Sequence, residues 1–477
     1  MAEAFVYPRN PRGQRPAHFR TPGQSHRRRS PGLPALLVVA FWTITLGLLL
    51  EASRPARAAE PSPTGAQAVP PGPLTFEDCV RLAIRQSPYF TKSALEIEIR
   101  QFAESDSRYA MFPPHMTFQS YYYLDRPSQP GLPHPYFLNF YMEPYNPFGS
   151  YFTLQVQKAA TQMTIFLHLQ VISQGLERLG KMFLSLAGLK QLTAFQSDLV
   201  NLCRENLTYA ENRRAIGTGT SLEVRLATQE LEVAKSELAR LEGDRKRTLN
   251  SIKTFIIGLK PEQTIDLDLR DARRQVLNNF DPAAATLEQA KARSFELRAL
   301  AMKMELQRYN VTLAKVKVLP DILFNSQTPN PLSVTTGSGI YVALGLQVPV
   351  WDGFDRIRNI SRQKTILKQY GSEKDQKEIE LTDQWNDLQE AISANSAGVN
   401  LAKSQEELAR LKERQAEIRY DSGNEQLPAW LEARKAVLEA HKSAASKALE
   451  YDQSIVSLRQ LSGDLCYSYV DEKSWQR

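Results

Sequence analysis

A short β-strand pattern that leads directly into a very long helical pattern is the feature that most constrains this chain. From Tyr341 to Val348, apolar residues alternate with small or polar ones, which predicts a strand with one apolar face. Pro349 ends this strand, Asp352 and Gly353 turn the chain, and more than sixty residues of helical pattern follow. The residues that we expect on the apolar, lipid-facing side of the strand are Val342, Leu344, Leu346 and Val348.

The N-terminal segment, residues 1–58, predicts a signal peptide. Arg27-Arg28-Arg29 precedes an apolar run, and Ala56-Arg57-Ala58 has the small-x-small pattern of a cleavage site; an uncleaved membrane anchor is the alternative. The segment contains nine Arg, no Lys and two Glu, so all of the net charge of +7 lies in it. The balanced charge of the remaining chain disfavours a nucleic-acid-binding protein. Residues 59–74 are rich in Pro and Gly and predict a flexible lead-in.

Motifs for catalysis or metal binding are missing from the sequence. The cysteines Cys79, Cys203 and Cys466 lie far apart in a pattern that fits no disulfide framework or metal site, so we predict small buried residues. No phosphate-binding loop, dinucleotide-binding glycine motif or nucleophile elbow occurs, and no histidine pair has metal-ligand spacing. We therefore expect no enzyme activity, no catalytic residue, no cofactor and no metal.

The first half of the mature chain predicts a helix followed by two strands. Thr75 begins a helix that continues to about Met111, with a kink at Pro88. Aromatic residues are dense in the segment that follows, and we predict strands over 115–125 and 149–158 with an exposed loop at 125–148. The alternating apolar residues of the second strand are Phe152, Leu154 and Val156. Such strands indicate a membrane β-barrel, although a soluble sandwich core would give a similar alternation.

Two helices joined by a tight turn complete this half. The first helix is predicted from about Met163 to Arg214, and the second continues to about Gly258. Apolar residues recur at heptad spacing in the second helix, which indicates a coiled-coil seam. The predicted seam residues are Val224, Ala227, Leu231, Ala234, Leu238, Leu241, Ile252, Phe255 and Leu259. A helix of about fifty residues would be about 75 Å long, so the fold is elongated.

The same plan is repeated after a connector at 261–285. Thr286-Leu-Glu-Gln-Ala is similar to Thr75-Phe-Glu-Asp-Cys, and the turn that ends at Gly423 is similar to the turn that ends at Gly217. The predicted seam of the second long helix contains Leu401, Ser404, Leu408 and Leu411. The predicted organisation is a first repeat over 75–260, a second repeat over 286–463 and a C-terminal tail over 464–477.

The doubled layout, the Val-Pro-Val-Trp-Asp-Gly-Phe segment and the Tyr-x-x-Gly helix turn resemble those of the TolC-like outer-membrane efflux proteins, over about 75–463. The resemblance implies a mainly α-helical protein in which each subunit of a homotrimer adds four strands to one shared transmembrane β-barrel. A long coiled-coil barrel would form a periplasmic tunnel that contacts an adaptor (membrane fusion) protein and an inner-membrane pump. Independently of the family, four strands cannot close a membrane barrel, because about eight are needed.

The resemblance also assigns roles to the helix turns. The adaptor contacts of the family lie at the tips, which here are Gly217, Thr218, Gly219, Thr220 and Ser221 in the first repeat and Gly423, Asn424, Glu425, Gln426 and Leu427 in the second. Its closed periplasmic entrance often contains acidic residues shortly after the tip glycine, and Glu223 and Glu432 occupy such positions; a solvated helix face is the alternative. The best-known member of the family has an arginine two places after the second tip glycine; this position is Glu425 here, which leaves an ionic lock there unsupported. The first repeat shows no equivalent of the strand–helix turn at Pro349, Asp352 and Gly353.

Two functions of different class follow from the sequence. The first is a passive outer-membrane channel of a tripartite efflux or secretion system, which conducts small molecules or polypeptides from the periplasm to the exterior. The second is a periplasmic coiled-coil adaptor or structural protein without a pore. Because no ATP site is present in the sequence, we expect a partner protein to supply the energy for transport.

Overall fold

The computed structural model describes residues 72–111, 115–122, 136–258, 265–328, 341–348, 351–424 and 426–470. The predicted signal peptide, most of the lead-in, residues 125–135 of the predicted loop, Pro349, Glu425 and the last residues of the tail lie outside these ranges. The prediction of a loop over 125–148 is wrong at Tyr136–Tyr145, which form a strand.

Two copies of one series of elements follow each other along the chain. The first copy consists of α1 (Phe76–Gln86), α2 (Pro88–Tyr109), β1 (Met116–Tyr122), β2 (Tyr136–Tyr145), α3 (Pro147–Ala215) and α4 (Ser221–Ile257). After α5 (Ala272–Leu277), the second copy consists of α6 (Leu287–Arg293), α7 (Phe295–Val316), β3 (Asp321–Thr328), β4 (Tyr341–Gln347), α8 (Asp355–Asp421) and α9 (Leu427–Leu461), and α10 (Asp464–Tyr467) follows. The predicted mainly helical fold with an internal repeat is therefore confirmed.

Polar caps begin the helices at matching places in the two repeats. Thr75 and Asp78 form a reciprocal capping box at the start of α1, and Thr286 caps α6. Ser87 caps α2 and Ser294 caps α7, so the kink predicted at Pro88 is a complete break between two helices. These caps give the two repeats a common register.

The four strands form one antiparallel sheet in the order β1-β2-β3-β4. Met116 lies opposite Met142, which lies opposite Phe324, and Phe324 lies opposite Leu344. The pairing of β2 with β3 shifts between Met142 and Tyr145, as in a β-bulge. The sheet joins strands of both repeats through the β2–β3 pair.

The prediction of a strand over 149–158 is wrong. The second strand of the first repeat is β2, and residues 149–158 form the start of α3. Asn146 accepts a hydrogen bond from the Gly149 N–H at 2.9 Å, and Pro147 occupies the first helical turn, so the helix begins before the predicted strand. Phe152, Leu154 and Val156 are therefore helical residues, and Leu154 is buried. A strand–helix turn does exist in this repeat, at Asn146 and Pro147.

The central helix of the fold is α3, which has 69 residues and is about 100 Å long. It packs against α2 and α4 of its own repeat and against α7 and α9 of the second, whereas α8 packs against α7 and α9. The main core includes the fully buried residues Phe76, Leu169, Ile172, Leu176, Leu179, Phe183, Ile252 and Ile256. Among the helices described here, none combines the length and the apolar character needed to cross a membrane.

The two predicted heptad seams have different outcomes. Within α4 most of the predicted seam is confirmed, because Ala227, Leu231, Ala234, Leu241, Ile252 and Phe255 are buried; Val224 and Leu238 are half-buried, and Leu259 lies outside the described residues. In α8 the predicted seam is wrong: Leu401, Ser404, Leu408 and Leu411 are exposed, and the buried residues in this part of the helix are Ala402, Ala409 and Ala416. The alanines have the same heptad spacing one residue later. The three predicted seam leucines thus lie on an exposed face of α8.

All three cysteines are buried, as predicted. Burial raises the pKa of the Cys79 thiol to about 12, so it is not ionised at neutral pH. Each cysteine acts as a small apolar residue.

A buried histidine makes the stability of the α2–α3 contact depend on pH. His168 of α3 is 1% exposed, and its Nδ1 lies 2.7 Å from the Ser93 hydroxyl of α2. Burial lowers the pKa of His168 from 6.5 to about 4, because the imidazolium would lose its hydration. The folded chain therefore keeps this ring neutral down to about pH 4, whereas the unfolded chain takes up a proton near pH 6.5.

We expect the fold to lose about 2–3 kcal/mol of stability through this one group as the pH falls from 6.5 to about 4. The variant His168→Gln should lose less stability over that interval than the parent protein, and the exposed-site variant His115→Gln should match the parent. Urea unfolding midpoints at pH 7.5 and 4.5 measure the difference. An unchanged pH dependence in His168→Gln would contradict the assignment.

Candidate functional site: the open sheet and the helix tips

One face of the sheet is apolar and exposed. Leu344 and Leu346 on β4 are 78% and 71% exposed, and Val348 just beyond it is also exposed. Leu344 lies in register with Phe324, and Leu346 lies in register with Ile322. The structure thus groups part of the predicted lipid-facing set on one face, and the backbone of Val342 is in register with Ser326. Phe152, Leu154 and Val156 are not part of this face, because they lie on α3.

The opposite face of the sheet is more polar, although Leu323 also lies on it. Thr117, Tyr141, Asn325 and Ala343 lie in register across the four strands, one position along from the apolar row. The Gln119 amide donates a hydrogen bond to the Tyr141 hydroxyl at 3.2 Å on this face. A sheet with one apolar face and one polar face separates two solvents that differ in polarity.

Both outer strands of the sheet are open. In the described part of the chain, β1 pairs only with β2 and β4 pairs only with β3. Each outer strand therefore has one row of backbone N–H and C=O groups that requires water or another strand. In hydrocarbon, each unpaired group would cost several kcal/mol.

The predicted turn between β4 and α8 has a specific backbone conformation. Gly353 has φ 61° and Phe354 has φ 64°, so two successive residues are left-handed. The Asp352 carboxylate accepts a hydrogen bond from the Arg356 N–H at 3.3 Å and thereby supports the first turn of α8. Trp351 and Phe354 pack edge to face at 5.3 Å and are both exposed.

The first helix tip is a compact turn held by Arg213. The N–H groups of Thr218 and Gly219 both donate to the Arg213 carbonyl at 2.9 Å, and the Arg213 guanidinium donates to the Thr218 carbonyl at 2.9 Å. Gly217 is left-handed with φ 80°, and a Cβ at Gly219 would lie 2.9 Å from the Arg214 nitrogen. Thr220 then caps α4 by accepting a hydrogen bond from the Glu223 N–H at 3.2 Å, and Ser221 begins that helix.

The second tip has the same backbone turn and a different side-chain cluster. Gly423 has φ 74°, and the Asn424 N–H donates to the Arg419 carbonyl at 2.9 Å. Gln426 is the N-cap residue of α9, and Leu427 begins the helix. Tyr420 and Trp430 stack across this tip with ring centroids 5.8 Å apart. Sequence reasoning missed this stack, although an aromatic residue on each side of the tip glycine was visible.

The two candidate entrance carboxylates lie in different surroundings. The Glu223 carboxylate is 3.6 Å from the Arg213 guanidinium, so it helps to close the first tip. Glu432 is exposed on α9. Lys435 of α9 reaches Glu230 of α4 at 4.0 Å, which places the start of α9 beside α4. An acidic ring that contains Glu223 and Glu432 stays a prediction.

The fold resembles that of solved outer-membrane channels. Residues 286–464 match the sequence model of the outer membrane efflux protein family. No curated protein matches the chain significantly. Among solved structures, the outer-membrane channel OprN is 16% identical with a TM-score of 0.69, covering 81% of this chain and 89% of its own.

Two further channels have the same fold. The CmeC outer membrane channel of Campylobacter jejuni is 14% identical with a TM-score of 0.68, covering 84% of this chain and 88% of its own. The open state of the MtrE outer membrane channel of Neisseria gonorrhoeae is 15% identical with a TM-score of 0.65, covering 82% and 89%. The resemblance to the TolC-like outer-membrane efflux proteins is therefore confirmed: in its second repeat by sequence, and over most of the chain by fold.

Proposed function

We propose that the chain is one subunit of a passive outer-membrane channel in a tripartite efflux or secretion system. The channel conducts small molecules or polypeptides from the periplasm to the exterior. The sheet lies in the outer membrane, and the long helices extend into the periplasm as a tunnel. Three copies form the channel; this number rests on the family resemblance alone.

The observation that carries this proposal is the open, two-faced sheet. Its apolar side exposes Leu344 and Leu346, its other side is more polar, and among the residues that the structure describes each outer strand pairs on one edge only. In lipid, strands are stable only when every edge is paired, so the free edges of β1 and β4 require strands of other copies. Closure would turn the polar faces toward a shared aqueous lumen.

The helix tips support contact with a periplasmic adaptor. Both tips are exposed turns with a fixed backbone, and exposed apolar residues such as Ile216, Leu222 and Ile418 lie beside them. A rigid turn flanked by apolar side chains fits a partner helix hairpin. The adaptor then connects the channel to an inner-membrane pump, which supplies the energy for transport.

Two neighbouring substitutions on β4 test the lipid-facing side. Leu344→Arg places a charge on the apolar face, and it should prevent most of the protein from assembling in outer membranes. Ala343→Arg places the same charge on the polar face, so assembly should persist while the pore becomes less permeable to cations. Carbonate-resistant membrane content and ion selectivity in planar bilayers are the measurements.

The parent protein should require detergent for extraction and give discrete conductance steps in a planar bilayer. A parent protein that leaves the membrane as a soluble monomer after a carbonate wash would refute the proposal and favour the coiled-coil adaptor. Equal tolerance of Leu344→Arg and Ala343→Arg would show that the sheet does not separate lipid from water.

A further inference from the structure

A cavity of about 530 Å³ lies where the sheet meets the helices of the same chain. This space, the junction cavity, has a wall that comes from both repeats, because α2, β2, α3, α7, β3 and α8 or the residues next to them all contribute to it. A volume of this size is typical of sites that hold a small organic molecule.

Small residues on or beside three helices leave this space open. Ala110 just after α2, Gly149 on α3 and Ala314 on α7 line the cavity, and none of them has a side chain larger than a methyl group. Leu313 adds apolar surface next to Ala314. The cavity therefore has room and an apolar wall for the body of a ligand.

The junction cavity borders the more polar side of the sheet. Asp321 lines it and is the first residue of β3. Because side chains alternate along a strand, Asp321 lies on the same face as Asn325, which belongs to the more polar row. Under the proposed function, that side faces the aqueous interior of the channel, so a molecule in transit can reach the cavity.

Two opposite charges in the cavity wall have no ion-pair partner in the described part of the chain. Lys317 follows the end of α7 and is exposed, and Asp321 is half-buried. The two residues are four positions apart, a spacing at which lysine and aspartate pair along a helix. Here α7 ends at Val316 and β3 begins at Asp321, so the two residues do not share a helix face and no ion pair joins them. Both charges are therefore available to a ligand.

The α8 side of the cavity balances the charge. Asp355 and Arg356 line it at the start of α8, and each has a neighbour of opposite charge outside the cavity. The Arg356 Nε lies 3.4 Å from Asp352, and the Asp355 carboxylate lies 3.9 Å from the Arg358 guanidinium. The cavity wall thus contains two basic and two acidic residues, and it attracts neither cations nor anions in general.

We propose that the junction cavity binds small zwitterionic molecules during their passage, with a carboxylate at Lys317 and an ammonium group at Asp321. This inference rests on the proposed function, and it selects small molecules over polypeptides as the transported class. A ligand with one charge would meet a like charge in the same cavity, which favours the zwitterion. Binding in a channel must be weak enough for release, and solvent-accessible charges of this kind give modest affinity.

Two penicillins that differ by one charge test the ligand class. Ampicillin has a carboxylate and an ammonium group at about pH 6, whereas benzylpenicillin has the same skeleton and the carboxylate only. In a planar bilayer, the parent channel should show transient current blockades with ampicillin, and their frequency should saturate as the concentration rises. Blockades by benzylpenicillin should be about fivefold shorter, because one charged contact is missing.

Substitutions at the two unpaired charges test the residues. Lys317→Met and Asp321→Asn should each shorten the ampicillin blockades about fivefold. Lys315→Met removes an exposed positive charge from α7 outside the cavity, and it should leave the blockades unchanged. The double variant Lys317→Asp with Asp321→Lys exchanges the two charges and should restore the long blockades, whereas Lys317→Asp alone should not.

The possible results separate this inference from the channel proposal. Equal blockade times for the two penicillins, or equal times in Lys317→Met and Lys315→Met, overturn the inference while the channel proposal stands. Blockades by an unfolded polypeptide but by neither penicillin would also overturn it and would assign polypeptides to the channel. A parent protein that gives no discrete conductance overturns both proposals.

Discussion

The substitution Arg459→Met is expected to destabilise the folded chain by about 3–5 kcal/mol. Arg459 of α9 is 1% exposed, and its guanidinium donates hydrogen bonds to several groups around the end of this helix. It donates to the Asp464 carboxylate at 2.8 Å, to the Val276 carbonyl of α5 at 2.7 Å and to the Ser468 hydroxyl at 2.9 Å. Methionine keeps most of the volume but leaves a buried carbonyl and a carboxylate without their donor.

An exposed arginine with as many bonds provides the control. Arg240 donates to both oxygens of Glu237 and to Asp244, but it lies on the outside of α4. The variant Arg240→Met should shift the urea midpoint only slightly, because water replaces the lost partners. Midpoints of both variants, followed by circular dichroism at one protein and detergent concentration, give the comparison. Equal shifts would mean that burial of Arg459 has no energetic consequence.

The burial of Arg459 was not predictable from the sequence. Along α9 it occupies a position where an arginine on a solvated helix face is the ordinary expectation. Its partners Val276, Asp464 and Ser468 come from α5, α10 and the residue after α10, which fold back on the end of α9. Only the tertiary arrangement of the connector and the C-terminal segment determines that this side chain is enclosed.

The long helices and their tips were predictable because their signals are local. A glycine at a helix turn and a threonine cap act within a few residues, and α4, α8 and α9 begin or end beside the predicted turns at Gly217 and Gly423. The β4 strand was predictable for the same reason, since its alternation continues for eight residues before Pro349.

The incorrect prediction of a strand over 149–158 also arose from a local signal. Three alternating apolar residues, Phe152, Leu154 and Val156, fit a strand and also fit a helix with one partly buried side. Asn146 and Pro147 determine that this segment is helical, because a capping side chain and a proline at the first position begin a helix there. The many aromatic residues of the segment favour a strand, and this signal competes with the helix cap.

The surfaces between subunits depend on information that is not local. In α8 the sequence predicts a seam at Leu401, Leu408 and Leu411, but Ala402, Ala409 and Ala416 are buried instead, because hydrophobicity alone does not determine which face the neighbouring helix occupies.

A side chain at Gly175 should produce the second large loss of stability. A Cβ at this position of α3 would lie 2.5 Å from two atoms of the Phe90 ring, which is 1% exposed. Phe90 packs edge to face on Phe255 at 5.7 Å and therefore has little space in which to move. The substitution Gly175→Leu should cost about 3 kcal/mol or more through overpacking, even though leucine favours a helix more than glycine does.

Gly243 provides the control, because leucine at this position causes no steric clash at its Cβ. It lies in the interior of α4, and a Cβ there would meet nothing within 4 Å. Gly243→Leu should raise the urea midpoint slightly, because it removes a glycine from a helix at an exposed position. The two variants should thus shift the midpoint in opposite directions. A lower urea midpoint in both variants would indicate that α4 is covered at Gly243 in the assembled protein. A higher midpoint in both would mean that α3 and α2 are less closely packed than the Gly175–Phe90 contact requires.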